Sequence, residues 1–364
     1  MKRTIPRAVL VVAAAAAVAV TATIFLFSPR VVLSQENRRT RDDDRGGDRA
    51  LNIGPNRTGI SIGDSREWTG IRLNFRDTRL ERVSGLNLTI WHPTNGGEGD
   101  ISGIAVALPL TGGRDVRGIQ LGGGISATGR LQGGTVAALG AGAGGNVSGL
   151  LVAGLGAGAG GDITGIGIGG LGFGGGGNVN GVMVGGLGVG AGGEANGIVI
   201  GGLGAAAGGG GRGVLVGGLG GGVGGDFKGI GVGGIGFGGG GDLTGVFVGG
   251  VGVGAGGTLK YLSVGGVGVG APRVHGIAVG GFGVGGEQLR GLMVAGGTVR
   301  VIEGGTLRGV GVSSFNYIQG RQRGLTIGIV NYARSLRGVQ LGLINIVRHN
   351  PSGRKVLPVV NWGQ

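Results

Sequence analysis

Apolar residues and glycines alternate through the middle of this chain with a period of sixteen. Successive units begin at Gly133, Gly149, Gly165, Gly181, Gly197, Gly213, Gly229 and Gly245, and Tyr261 takes the next start. With φ for an apolar residue, the unit reads G-φ-x-φ-G-G-φ-G-x-G-x-G-G-x-φ-x. Positions two and four are aliphatic, as in Ile166 and Ile168 or Ile198 and Ile200. Alternation of β-branched residues predicts a strand. Position seven is again aliphatic (Leu155, Leu171, Leu187, Leu203, Leu219, Ile235). The step from four to seven breaks the two-residue parity. A turn at the Gly-Gly of positions five and six would bring two, four and seven onto one interior. A second Gly-Gly at twelve and thirteen marks another corner, so each unit is two short strands and two corners. Looser units run from Gly59 to Gly118 and from Gly276 to Gly338. Interior glycine costs a helix about 1 kcal/mol relative to alanine, so helices are excluded from this region.

The predicted fold class is therefore all-β, a glycine-rich repeat array spanning 59–364, clearest at 133–260, behind one N-terminal hydrophobic helix. A β-solenoid, with each unit a coil stacked on the last, is the simplest assembly. The alternative is an antiparallel β-meander or barrel. An outer-membrane barrel wants strands of about 9–11 residues and aromatic girdles, whereas half a unit here is eight residues and aromatics are 4% of the chain.

Two finer features carry packing predictions. Where position nine is Phe (Phe173, Phe237), position three is Gly (Gly167, Gly231), while neighbouring units carry Leu151, Met183, Leu215 or Phe247 at position three. This suggests a volume trade between the two positions. Towards the C-terminus, Gly at position eight becomes Asn, at Asn316, Asn331, Asn345 and Asn361. Gly and Asn share tolerance of positive φ, and stacked Asn can also form a hydrogen-bonded ladder. Both readings are open at this point.

Composition removes other classes. Of 364 residues 102 are Gly but only 8 are Pro, and the glycines do not fall every third residue, so collagen is excluded. There is no Cys, which rules out disulfides and thiolate metal sites. The net charge of +14 favours anionic partners. Lys2, Arg3 and Arg7 precede an apolar run from Ala8 to Phe27, which reads as an export segment. Residues 1–34 are predicted to be a signal peptide or a signal anchor, with the N-terminus cytoplasmic if the anchor is retained. The chain is then exported, membrane-anchored or at the cell surface. Residues 35–58, dense in Arg and Asp, read as a charged flexible linker.

The segments Gly324-Leu325-Thr326-Ile327-Gly328-Ile329-Val330-Asn331 and Gly338-Val339-Gln340-Leu341-Gly342-Leu343-Ile344-Asn345 resemble the GLQIGLIN-type repeats of bacterial exported surface-repeat proteins, described from Leptospira and Bacteroidetes. The likeness covers about residues 309–362, and the glycine-saturated middle departs from it. It implies a surface location and no catalytic residue.

Candidate chemistry is sparse. G-x-G-x-x-G recurs without a strand–turn–helix setting, so nucleotide binding is unsupported. His92, His275 and His349 are far apart, and no catalytic, cofactor or metal residue is predicted. Position fourteen (Asn146, Asp162, Asn178, Asp226, Asp242) is too sparsely acidic for calcium cages and reads as turn chemistry. Position sixteen is the candidate binding column, with Arg212, Lys228, Lys260, Arg290, Arg308, Arg323 and Arg337. Stacked coils would align them along one corner as a basic ladder. An anionic polysaccharide or cell-envelope component is the partner this implies, with the N-terminal segment meeting the membrane. Nucleic acid is not expected, because interleaved stacking aromatics are missing. The function expected is that of a non-catalytic, exported structural or surface interaction protein.

Overall fold

The computed structural model describes residues 49–78, 80–91 and 99–363. The predicted signal segment 1–34, the first part of the predicted linker and His92 lie outside the described residues. The chain divides at 192/193 into two compact units, and each is a β-solenoid with no α-helix among its described residues.

In residues 49–192 the strict coils consist of a seven-residue and a four-residue strand, for example Ile163–Gly169 and Gly172–Gly175. The long strand pairs in parallel with the next coil, Ile163 opposite Val179 and Gly169 opposite Gly185. The short strand does the same, Phe173 opposite Val189. Residues 193–363 repeat the arrangement, with Phe227 opposite Leu243 and Phe237 opposite Val253. Parallel pairing at a sixteen-residue offset overturns the antiparallel meander and barrel alternatives. Among the described residues, antiparallel pairs occur at two places. Arg49–Ile53 folds back on Thr58–Asp64, so this part of the predicted 35–58 linker is a strand. Val356–Gly363 folds back on Val330–Val347. Each covers the open edge of its neighbouring coil, which would otherwise present unpaired backbone groups.

The side chains face the opposite way from the sequence reading. Positions two, four and seven do not line the interior. Ile166 is 48% exposed, Ile168 41% and Leu171 45%. The core is built from positions fifteen, three and five of the long strand and nine and eleven of the short one. Ile163, Phe173, Val179 and Met183 are all buried there. Glycine at position one explains this strand. Gly165 has φ +126°, Gly181 +125° and Gly229 +140°. A Cβ on Gly165 would lie 2.1 Å from the carbonyl oxygen of Gly149 in the coil before. Glycine lets the long strand bend there with coils this close. Tyr261, at φ +82°, replaces Gly in the column and leaves its ring exposed.

The Gly–Phe volume trade holds. A Cβ on Gly167 would lie 2.1 Å from Cζ of Phe173, and one on Gly231 would lie 2.4 Å from Cζ of Phe237. Each ring fills the space its own coil's position three leaves empty. Phe227, Phe237 and Phe247 then pack as a cluster with centroids 5.4–6.3 Å apart.

The C-terminal asparagines do not have a left-handed backbone. The left-handed column is position one, and none of Asn316, Asn331, Asn345 or Asn361 has positive φ. The ladder reading is the one observed. Asn316 Nδ2 donates to Asn331 Oδ1 and Asn331 Nδ2 to Asn345 Oδ1, both at 2.8 Å. The register also differs from the sequence alignment, because Asn316 stands opposite Val299. These coils have one residue fewer before the second wall, so Asn takes the inward column that holds Val284 and Val299 in the coils just before. Asn331→Ala should cost about 2–4 kcal/mol, since it orphans buried partners on both sides at about 1–3 kcal/mol each. A denaturation midpoint equal to wild type would contradict this.

Candidate functional site

The basic column is a true ladder. Along the long strands of residues 193–363, Arg212 stands opposite Lys228, Lys228 opposite Thr244 and Thr244 opposite Lys260. The column continues through His275, Arg290, Arg308 and Arg323 to Arg337. All seven predicted basic residues therefore lie in one in-register column. Each is the residue just before the bent position one, and strand parity turns it outward.

The charges along the column are unevenly compensated. Lys260 Nζ is 3.4 Å from Asp242 Oδ2, and Arg273 Nη2 is 3.9 Å from Asp242 Oδ1. Among the described residues, Arg290, Arg308, Arg323 and Arg337 have no acidic partner within ion-pair distance. Their mutual repulsion is visible at Arg323. The Arg308 charge, with burial and then Arg337 and Arg321 adding to it, pushes this guanidinium below its usual value. Burial, then Arg290, Lys260 and Arg273, hold His275 below the ordinary imidazole range against a smaller pull from Asp242. A depressed His value means that the folded state disfavours the imidazolium. An anion bound along the column would reverse that preference.

The acidic groups behind the ladder serve the backbone. Asp226 Oδ1 accepts from the amide of Asp242, and Asp242 Oδ1 accepts from the amide of Thr258, each at 2.7 Å. In the other unit Asn146 Oδ1 accepts from Asp162, and Asp162 Oδ1 from Asn178, at 2.9 and 2.7 Å. Position fourteen thus stitches one coil to the next, which is corner chemistry. The hydrogen bonds of Asp242 and the Lys260 charge hold its carboxyl below the usual carboxylate range. Among the described residues no group of three or more metal-ligating side chains occurs. The rings of Tyr317 and Tyr332 meet at 5.2 Å, tilted by 38°, but on the short-strand wall, so they do not interleave with the ladder.

The sequence reading missed what lies beside the ladder. Lys228, Ile230 and Val232 sit two residues apart on one strand, Phe227–Gly233, and share its outward face. The ladder is therefore flanked by aliphatic columns at positions two and four and, past the corner, at position seven. Ile230 is 45% exposed, Leu219 51% and Ile277 44%. Strand parity was the available signal: a basic column at sixteen that faces solvent carries positions two and four outward with it.

No family model, curated protein or solved structure matches the chain.

Proposed function

We propose that the chain is an exported, non-catalytic repeat scaffold of the cell envelope that holds an anionic partner along its basic ladder. The observation that carries this reading is the in-register column from Arg212 to Arg337. A continuous line of like charge repels itself and is relieved by a polyanion laid along it. Repeat construction suits the task, because coils stacked about 4.8 Å apart line up the seven Arg and Lys side chains, interrupted at Thr244 and His275. The N-terminal basic and apolar segment supports export.

The test is calorimetric titration with a soluble acidic polysaccharide. Arg290→Glu with Arg308→Glu should weaken binding at least tenfold, which is about 1.4 kcal/mol. Binding should weaken with added salt, as exposed charges are screened beyond about 10 Å at 0.1 M. It should also tighten between pH 7.5 and 6, because the bound anion favours the His275 imidazolium, and His275→Gln should remove that pH dependence. Affinity indifferent to both salt and charge reversal would sink the reading.

A further inference from the structure

The surface beside the ladder asks for more than charge. In residues 193–363 the outward face of the long strands bears Ile, Leu or Val at positions two and four, coil after coil in register, as with Leu262, Ile277 and Leu292. The adjoining corner adds Leu219, Val251 and Phe282, of which Phe282 is 65% exposed. Soluble monomers rarely leave contiguous aliphatic surface of this kind uncovered. The basic column forms one edge of it, and Asp242, which also accepts from a backbone amide, pairs with Lys260 but not with the arginines from Arg290 to Arg337.

Different occupants satisfy different parts of this face. A second copy would cover the aliphatic columns and leave the guanidinium charges unneutralised. A soluble acidic polymer would neutralise the charges and leave the aliphatic columns wet. An anionic lipid surface does both, with phosphates along the ladder and the aliphatic columns at the boundary between headgroups and acyl chains. We propose that this face of residues 193–363 lies on an anionic lipid bilayer surface. The inference rests on the reading of an anionic partner above and names its class.

The chain has no cysteine, so a single introduced one reports a single place. The full chain would be reconstituted into vesicles with an environment-sensitive fluorophore at Ile277→Cys and, separately, at Leu219→Cys. The control is Gly254→Cys on the other wall, where a new side chain meets nothing nearer than 3.7 Å. Comparing positions within the same reconstituted chain removes any contribution of the N-terminal segment to retention. In phosphatidylglycerol-containing vesicles with a shallow lipid-borne quencher, the labels at 277 and 219 should be blue-shifted and quenched several-fold more than the label at 254. The contrast should shrink in pure phosphatidylcholine and on adding Arg290→Glu with Arg308→Glu. Equal quenching at 277, 219 and 254 in the anionic vesicles overturns the proposal. If the acidic polysaccharide still binds in that case, the anionic-partner reading survives; if neither binds, both fall. A blue shift without vesicles, together with a doubled sedimenting mass, assigns the face to a second copy and likewise overturns it.

Discussion

Arg72→Ala should destabilise the first coils by about 3–5 kcal/mol, the usual cost of removing one partner from a buried ion pair. The Arg72 side chain is wholly buried. Its Nη1 is 2.6 Å from Asp77 Oδ1, its Nη2 is 3.3 Å from Asp64 Oδ1, and its Nε donates to Ser65 Oγ at 3.1 Å. Nη1 also donates to Asn87 Oδ1 at 3.0 Å, which ties the network to the following coil. Removing the guanidinium leaves the buried carboxylates of Asp64 and Asp77 without the cation they share. In a repeat array each coil depends on its neighbours, so the loss should appear as local opening. Hydrogen exchange should speed up in Thr58–Asp64, Glu67–Arg76 and Arg82–Trp91 and remain slow in Phe227–Gly233. Unchanged protection in the first three strands would refute the assignment of Arg72 as their organising charge.

Gly231→Leu should be comparably damaging, at about 3 kcal/mol, the upper part of the range for overpacking a core. The new Cβ would enter the Phe237 ring, with three ring carbons within 2.7 Å. Phe237 packs between Phe227 and Phe247, so a displaced ring runs into these neighbours. Phe237→Ala alone should also cost about 3–5 kcal/mol through the cavity it leaves. The diagnostic is the pair. Gly231→Leu with Phe237→Ala should be more stable than either single variant, because Leu215 and Phe247 show that this column accepts large side chains when position nine is small or slim. Additive losses in the double variant, or a melting curve for Gly231→Leu like that of wild type, would show that the two positions do not share one space.

Much of the architecture was legible in residues. The sixteen-residue period is the coil, the two Gly-Gly pairs are its corners, and position sixteen is a column because equal positions stack. The Asn316–Asn331–Asn345 ladder was legible as a possibility, but its register was not. Only pairing across coils shows Asn316 opposite Val299, because one residue is missing from the coil and sequence alignment places that gap at the wrong side of the asparagine. The polar network of Arg72 was not legible at all. Asp64, Arg72, Asp77 and Asn87 fall in the loosest units and look like ordinary surface charge until the coil closes around them.

The candidate site divides in the same way. Its charge was written along the chain at intervals of about one coil, and its aliphatic flank was written there too, but assigned to the core. By itself the sequence determined the period, the strands, the corners and the order of residues on each face of a strand. Tertiary structure alone decided which face is inside. Binary patterning settles that question only when one parity is polar, and here positions two and four are as apolar as fifteen and three. What selects the interior is shape. Position one bends the long strand at positive φ, which glycine meets in every coil but that of Tyr261 among those that follow Gly133, and positions three and nine must share a fixed volume across a thin core. The aliphatic columns at positions two and four, which need no such fit, are left on the outside beside the ladder.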